Sequence, residues 1–323
     1  MTISEHHHLG TKAFPKAERV LRDLRGVATF EQEHGFRHPT AAYNVSLSII
    51  GQRIQAVLDA NREIIAASAF RKPGDTASDK KLLEAIDHML DAQMEHFSVC
   101  GSVLQSFFRK EDEKLSGKAH TAFKQAVRPY RDHIARIDNY IKHSQGTLRS
   151  LAFSWPGNLH FGYFVEGPTG ANALGPAPNI HPGNTAYSLN RDISYQVCSV
   201  FAVGAQLARS LHEIDRTLVP LADVPQGTGN DSSWATMLRM TAALPTVYFP
   251  DEVHKPVPRV NVSGNRLHIE YPSQCKRSST PERCGIAVNM RGDGVTTTFH
   301  TPYLDTFHPG AQPFSNAGVP IPL

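Results

Sequence analysis

Arg136 and His143, near the middle of the chain, are the pair whose types and spacing point to a reaction. On an α-helix, residues seven apart lie two turns along one face, about 10 Å along the axis. A histidine with a pKa near 6.5 moves a proton at neutral pH. An arginine holds a phosphate and stabilises the charge that develops on it. Together they suit metal-free attack of an RNA 2′-hydroxyl on its adjacent phosphate. In that scheme Arg136 clamps the phosphate, His143 is the acid/base and Asn139 orients the phosphate, while Arg131, Lys142 and Arg149 hold the backbone. Tyr140, in the same run, is expected to pack. One helix supplies one Arg and one His, so a symmetric dimer joined along this face would supply two of each around a cleft.

The charge around this segment is consistent with a phosphate partner. Between Lys118 and Arg149, seven Lys or Arg stand against two Asp, a local balance of +5 in a chain whose total is +3. The near-neutral total therefore hides one basic helix. Basic clustering on a helix is the electrostatic footprint of nucleic-acid binding. The competing reading is a solvated outer face whose Arg and Lys pair with neighbouring acids.

The segment Arg136-Ile137-Asp138-Asn139-Tyr140-Ile141-Lys142-His143 resembles the motif of the HEPN superfamily (higher eukaryotes and prokaryotes nucleotide-binding). That motif is an Arg, usually a polar residue next, a gap of four to six residues, then a His. The gap here is five residues, Asp138 to Lys142, and Ile137 departs from the usual Asn, Asp or His. The resemblance spans roughly residues 40–218. It implies a helical bundle acting as a dimer, and a metal-independent endoribonuclease of bacterial defence or growth control with no cofactor. The RNA product would carry a 2′,3′-cyclic phosphate. The implied partners are RNA, a second copy, and a protein partner such as an antitoxin. Two other functions stay open: a non-catalytic bundle binding nucleic acid, nucleotide or protein, and a small-molecule pocket between the bundle and the C-terminal region.

Helices must position these residues, and the apolar spacing supplies them. Leu47, Ile50, Ile54, Val57, Leu58 and Ile65 step by three and four from Pro39 to about Phe70. A second stripe runs from Leu83 through Ile86, Leu90, Met94, Phe97 and Leu104 to about Arg109. The polar run EDEKLSG is expected to turn the chain. A third helix spans about Lys118 to Ser144 with Val127, Tyr130, Ile134, Ile137 and Ile141 on one side. Pro129 either kinks it or splits off a short helix before it. With Ile134 at zero degrees, Arg136, Asn139, Asp132 and His143 fall roughly opposite the stripe. A fourth helix runs from about Ser188 to Leu218. An antiparallel bundle of four is the economical packing.

The period changes elsewhere. LRSLAFSW and NLHFGYFVEG alternate around Pro156-Gly157-Asn158 and read as a β-hairpin at about 149–166. Residues 167–185, rich in Gly, Pro and Asn, read as a long loop with a surface His181. Thirteen of the 22 prolines lie between Pro220 and Pro322. Within that region a short helix is expected at Ser232–Ala243, one hairpin turning at Gly264-Asn265, and another turning at Gly292-Asp293-Gly294. The expected architecture is α+β. It comprises an N-terminal extension (1–38), a four-to-five-helix bundle with an inserted hairpin (39–219), and a Pro-rich, β-containing region (220–323).

Composition narrows the class. The chain has 323 residues, 40% apolar and 20% charged, as in folded proteins. No apolar run approaches the roughly 18 residues of a membrane span, and the N-terminus has no apolar h-region, so a cytoplasmic protein is expected. Four cysteines, Cys100, Cys198, Cys275 and Cys284, are too sparse for a disulfide scaffold. Cys100 and Cys198 should be packed thiols. Cys275 and Cys284 match no zinc spacing and read as loop thiols. Glu84, His88, Asp91 and Glu95 form a polar stripe without the paired Glu-x-x-His of helical di-metal sites, so a solvated face is expected. His6, His7 and His8 are set apart from the mechanism. No Gly-x-Ser-x-Gly, His-Glu-x-x-His or dinucleotide fingerprint occurs.

Overall fold

The computed structural model describes residues 3–8, 14–24, 26–68, 77–144, 146–154, 159–170, 172–181, 185–219, 232–245, Phe249, Glu252, 258–264, 266–271, 287–292 and 295–300. In chain order the elements are β1 (Ile3–His8), α1 (Lys16–Leu21), α2 (Glu31–His34), α3 (Pro39–Ser68), α4 (Ala77–Gln105), α5 (Glu113–His143), β2 (Thr147–Ser154), β3 (Leu159–Gly170) and β4 (Ala173–Pro176). They continue with β5 (Tyr187–Ser188), α6 (Leu189–Ile214), α7 (Ser232–Ala242), β6 (Arg259–Ser263), β7 (Arg266–Tyr271), β8 (Ala287–Gly292) and β9 (Val295–His300). The protein is α+β, mainly helical, with the hairpin β2–β3 inserted after the third long helix. Among the described residues no helix is long and apolar enough to cross a membrane.

Four long helices pack in sequence. α3 lies on α4, α4 on α5, and both α4 and α5 on α6. Leu47, Ile50, Ile54, Val57 and Leu58 of α3 are buried as their spacing requires. Ile65 is not: it is 48% exposed, and Ile64 takes the core position. Seven residues after Val57, Ile64 returns to the same face within about 20°, whereas Ile65 overshoots by about 80°. On α5, Val127, Tyr130, Ile134 and Ile137 are buried. Each fully buried aliphatic side chain of this kind contributes about 1.5–3 kcal/mol relative to exposure. α6 is buried nearly all round, so it is the central helix.

Several boundaries differ from the sequence reading. α4 stops at Gln105, and EDEKLSG is not a turn throughout: a 3₁₀ turn at Lys110–Asp112 leads directly into α5 at Glu113. Glu113, Lys114 and Leu115 are good helix formers, and an acid in the first turn suits the helix dipole. α5 runs unbroken through Pro129, which is exposed on the helix surface. There water can serve the carbonyl whose amide partner proline lacks. α6 ends at Ile214 rather than Leu218 because Asp215 Oδ1 accepts the Thr217 N–H at 2.8 Å and its hydroxyl at 2.7 Å, turning the chain.

The expected loop at 167–185 is largely ordered by a sheet. β3 continues to Gly170 and pairs antiparallel with β4 through a bulge at Pro168/Gly170. β4 in turn pairs in parallel with β9, Ala173 opposite Thr298 and Leu174 opposite Phe299. The inserted hairpin and the C-terminal hairpin β8–β9 thus join in one sheet of order β2-β3-β4-β9-β8, with β5 also on β3. A second sheet has order β1-β7-β6, with His6, His7 and His8 opposite His268, Leu267 and Arg266. The first 38 residues therefore contribute a strand to this sheet and, through α1, a helix packed on α6 and α3. Cys275 and Cys284 lie outside the described residues; Cys100 and Cys198 are buried free thiols.

Candidate functional site

α5 separates its two faces as its spacing demands. Because Val127, Ile134 and Ile137 are held in the core, Arg136, Asn139 and His143 project from the opposite side and are exposed, as is Arg131. Arg136 Nη1 donates to the backbone oxygen of Asn179 at 3.5 Å, which places the guanidinium beside the turn that follows β4. Asn139 and His143 make no hydrogen bond with the described residues.

Three other cations of the segment, Lys142, Arg149 and Arg128, are engaged within the fold. Lys142 Nζ lies 2.7 Å from Asp91 Oδ1 on α4 and 2.9 Å from Asp138 Oδ1 one turn back. Hydrogen bonds with Asp91 and then Asp138 raise the lysine above its ordinary range. Burial pushes both carboxyls up; for Asp91 the bonds from Lys142 and Asp138 outweigh it and leave that group lowered. For Asp138 burial, helped by Asp91, prevails and leaves the group raised. Arg149 on β2 pairs with the nearly buried Glu166 on β3 at 2.8 Å, and Arg128 pairs with Asp132 at 2.8 Å. Much of the local positive charge is thus compensated. Arg136 and Arg131 carry what is displayed outward on this part of the helix.

A buried polar layer beneath α5 escaped the sequence reading. His181 is 1% exposed, not a surface residue, and its Nε2 accepts the Val165 N–H at 2.9 Å. Tyr187 lies between two histidines: its ring centroid is 4.5 Å from His181 and 5.1 Å from His133 of α5. Tyr163 donates its hydroxyl to Asp192 Oδ2, and Gln196 Nε2 donates to Asp192 Oδ1 at 2.9 Å. Asp192, Gln196 and Ser199 are all buried on α6. Their steps of four and three, on the same helix as an apolar stripe, were the available signal, because polar residues in a helix apolar all round need internal partners. This layer joins sheet to bundle, and Tyr163, His181, Asp192, Gln196 and Ser199 are buried in it.

The polar stripe on α4 is mostly solvated, with Glu84, His88 and Glu95 exposed and Asp91 half-buried. Asp91 serves Lys142, and Glu84 lies 3.7 Å from Lys80. Among the described residues no group of three or more His, Cys, Asp or Glu is placed to hold a metal ion. On a single chain, then, α5 offers the Arg136 guanidinium, the Asn139 amide and the His143 imidazole on one face, with Arg131 also exposed, to a ligand arriving from solvent. No protein-family model, curated protein or solved structure matches the chain.

Proposed function

We propose that the exposed face of α5 binds the phosphate backbone of RNA through Arg136, Asn139 and His143, and that two such faces brought together in a homodimer form a metal-independent endoribonuclease of HEPN type. The observation that supports this reading is the outward display of all three side chains on a helix whose opposite stripe is buried. In the reaction one imidazole takes the proton of the 2′-hydroxyl as its oxygen bonds to phosphorus. The second imidazole, protonated, gives its proton to the departing 5′-oxygen as the P–O5′ bond breaks. Arg136 neutralises the charge gathering on the phosphate. The products are a 2′,3′-cyclic phosphate and a 5′-hydroxyl. Two histidines are required because one cannot accept and donate in the same step. In a bacterial cytoplasm such an activity serves defence or growth control, and an antitoxin partner would act by covering this face.

A second reading, RNA binding without cleavage, draws on the ion pairs of Lys142 and Arg149 and on the lack of an orienting partner for His143 among the described residues. One experiment separates the two. The purified chain is incubated with end-labelled RNA in chelator, binding is measured by gel shift, and product ends are analysed. Cleavage to cyclic phosphate ends, abolished in His143→Ala while binding persists, is the expected result. Binding without cutting would leave the second reading, and no binding would remove the α5 face from both.

A further inference from the structure

A pocket of about 440 Å³ lies on another side of the bundle, lined by residues of α1, α3 and α7 and by none of α5. Its volume is that of a small-molecule site. One wall is aromatic: Phe14 and Trp234 stack with centroids 5.9 Å apart and planes 27° apart. Trp234 reaches this position because Gly51 of α3 has no side chain; a Cβ there would stand 2.7 Å from Trp234 Cε3.

The polar lining is rich in acceptors. Glu18 and Asp59 both face the pocket, the first held by Arg22 at 2.6 Å and the second by Arg62 at 2.9 Å. Gln55 lies between the aromatic wall and Asp59. Its Nε2 is committed to Asp59 Oδ2 at 3.1 Å and to Met240 Sδ at 3.0 Å. That leaves its Oε1 buried with no hydrogen-bond partner among the described residues. A buried carbonyl oxygen without a donor costs free energy, and a bound donor relieves that cost. The two arginines stand behind their carboxylates and do not line the pocket, so beside the neutral Asn44, Ser48, Gln52 and Ser233 the site offers two carboxylates and an aromatic wall but no cation for an anionic ligand.

We infer that this pocket binds a small, flat heteroaromatic molecule carrying N–H donors, neutral or cationic, with its ring against Trp234 and an N–H directed at Gln55 Oε1. Apolar contact with Phe14 and Trp234 supplies affinity, and the unpaired acceptor supplies selectivity against acids of the same size.

The test uses the full chain with Trp155→Phe, so that Trp234 is its only indole. The Trp234 indole N–H resonance is followed by NMR while 2-aminobenzimidazole is added, with benzoate as the acceptor-only control. The expected result is a saturable shift with a dissociation constant below about 1 mM for 2-aminobenzimidazole and none for benzoate. Gln55→Leu should weaken binding roughly tenfold, the loss of one hydrogen bond. Gly51→Ala, by displacing Trp234, should abolish it in a protein whose other resonances are kept; if that variant does not fold, Gln55→Leu alone decides. No saturable shift in the folded protein, equal binding of benzoate, or unchanged affinity in Gln55→Leu would overturn the assignment. RNA binding at α5 is independent of each outcome.

Discussion

Arg191 Nη1, in the first turn of α6, lies 3.4 Å from Oε1 of Glu252, 61 residues further along the chain, with side chains 1% and 4% exposed. Glu252 also accepts from the Ser188 hydroxyl and from the Phe249 N–H at 3.2 Å. This carboxylate fastens the segment after α7 to the start of the central helix. Glu252→Ala removes the buried counter-charge of Arg191 and should destabilise the protein by about 3 kcal/mol or more. Urea denaturation measures it. A midpoint equal to wild type would mean that the pair holds nothing, and the double variant Arg191→Met, Glu252→Leu should lose much less than Glu252→Ala alone.

His96 on α4 predicts a pH dependence. Its ring is buried beside Tyr43, Nδ1 is 2.9 Å from Ser46 Oγ, and Nε2 is 3.6 Å from Cys100 Sγ. Burial lowers its pKa to about 4. The unfolded chain takes up this proton near pH 6.5 and the folded protein only near 4, so between those values the unfolded state binds more protons. The stability held by a neutral His96 is complete above about pH 6.5 and is lost as pH falls towards 4, up to about 3 kcal/mol. His96→Gln should flatten that part of the stability–pH curve. An unaltered slope would assign the acid sensitivity to other groups.

Lys142 and Arg136 should behave differently despite lying six residues apart on α5. Lys142 is bound to Asp91 and Asp138, whereas Arg136 reaches only a backbone oxygen. Lys142→Met should lower stability at neutral pH, by leaving two carboxylates close together, and barely alter RNA affinity. Arg136→Met should leave stability nearly unchanged and reduce the salt dependence of RNA binding by about 0.7 in log–log slope, one phosphate contact on single-stranded RNA. Equal salt slopes for wild type and Arg136→Met would remove Arg136 from the interface.

Gly162 on β3 should tolerate no side chain. A Cβ there would collide with the Tyr187 backbone oxygen and the Phe249 ring. Gly162→Ala should cost about 1–3 kcal/mol or more, read as a fall in thermal midpoint. An unchanged midpoint would show that β5 and Phe249 move aside freely.

The helices were legible because each carries one long local pattern, and α5 shows it best: its buried stripe and its exposed Arg136, Asn139 and His143 follow from spacing alone. Ile65 shows the limit, since two adjacent isoleucines let the phase of α3 be misjudged by one residue. His181 and β4 were missed for another reason. Gly- and Pro-rich sequence reads as loop, yet β4 pairs with β3 across a bulge and with β9, more than 120 residues away. The ion pairs that engage Lys142 and Arg149 were equally hidden, because Asp91 and Glu166 reach them from other elements.

The parallel pairing of β4 with β9 sets an order of events during synthesis. When α6 leaves the ribosome, β2 and β3 can already pair, but β4 presents an open edge until residues 295–300 emerge. At elongation rates of about 5–20 residues per second, the roughly 120 residues between them take about 6–24 s. For that interval the nascent chain carries β4, paired with β3 on one side, with its other edge open, the kind of edge that recruits strands from other chains. The last strand of the sheet therefore acts as a closing seal, and the vulnerable species is the chain stalled just short of it.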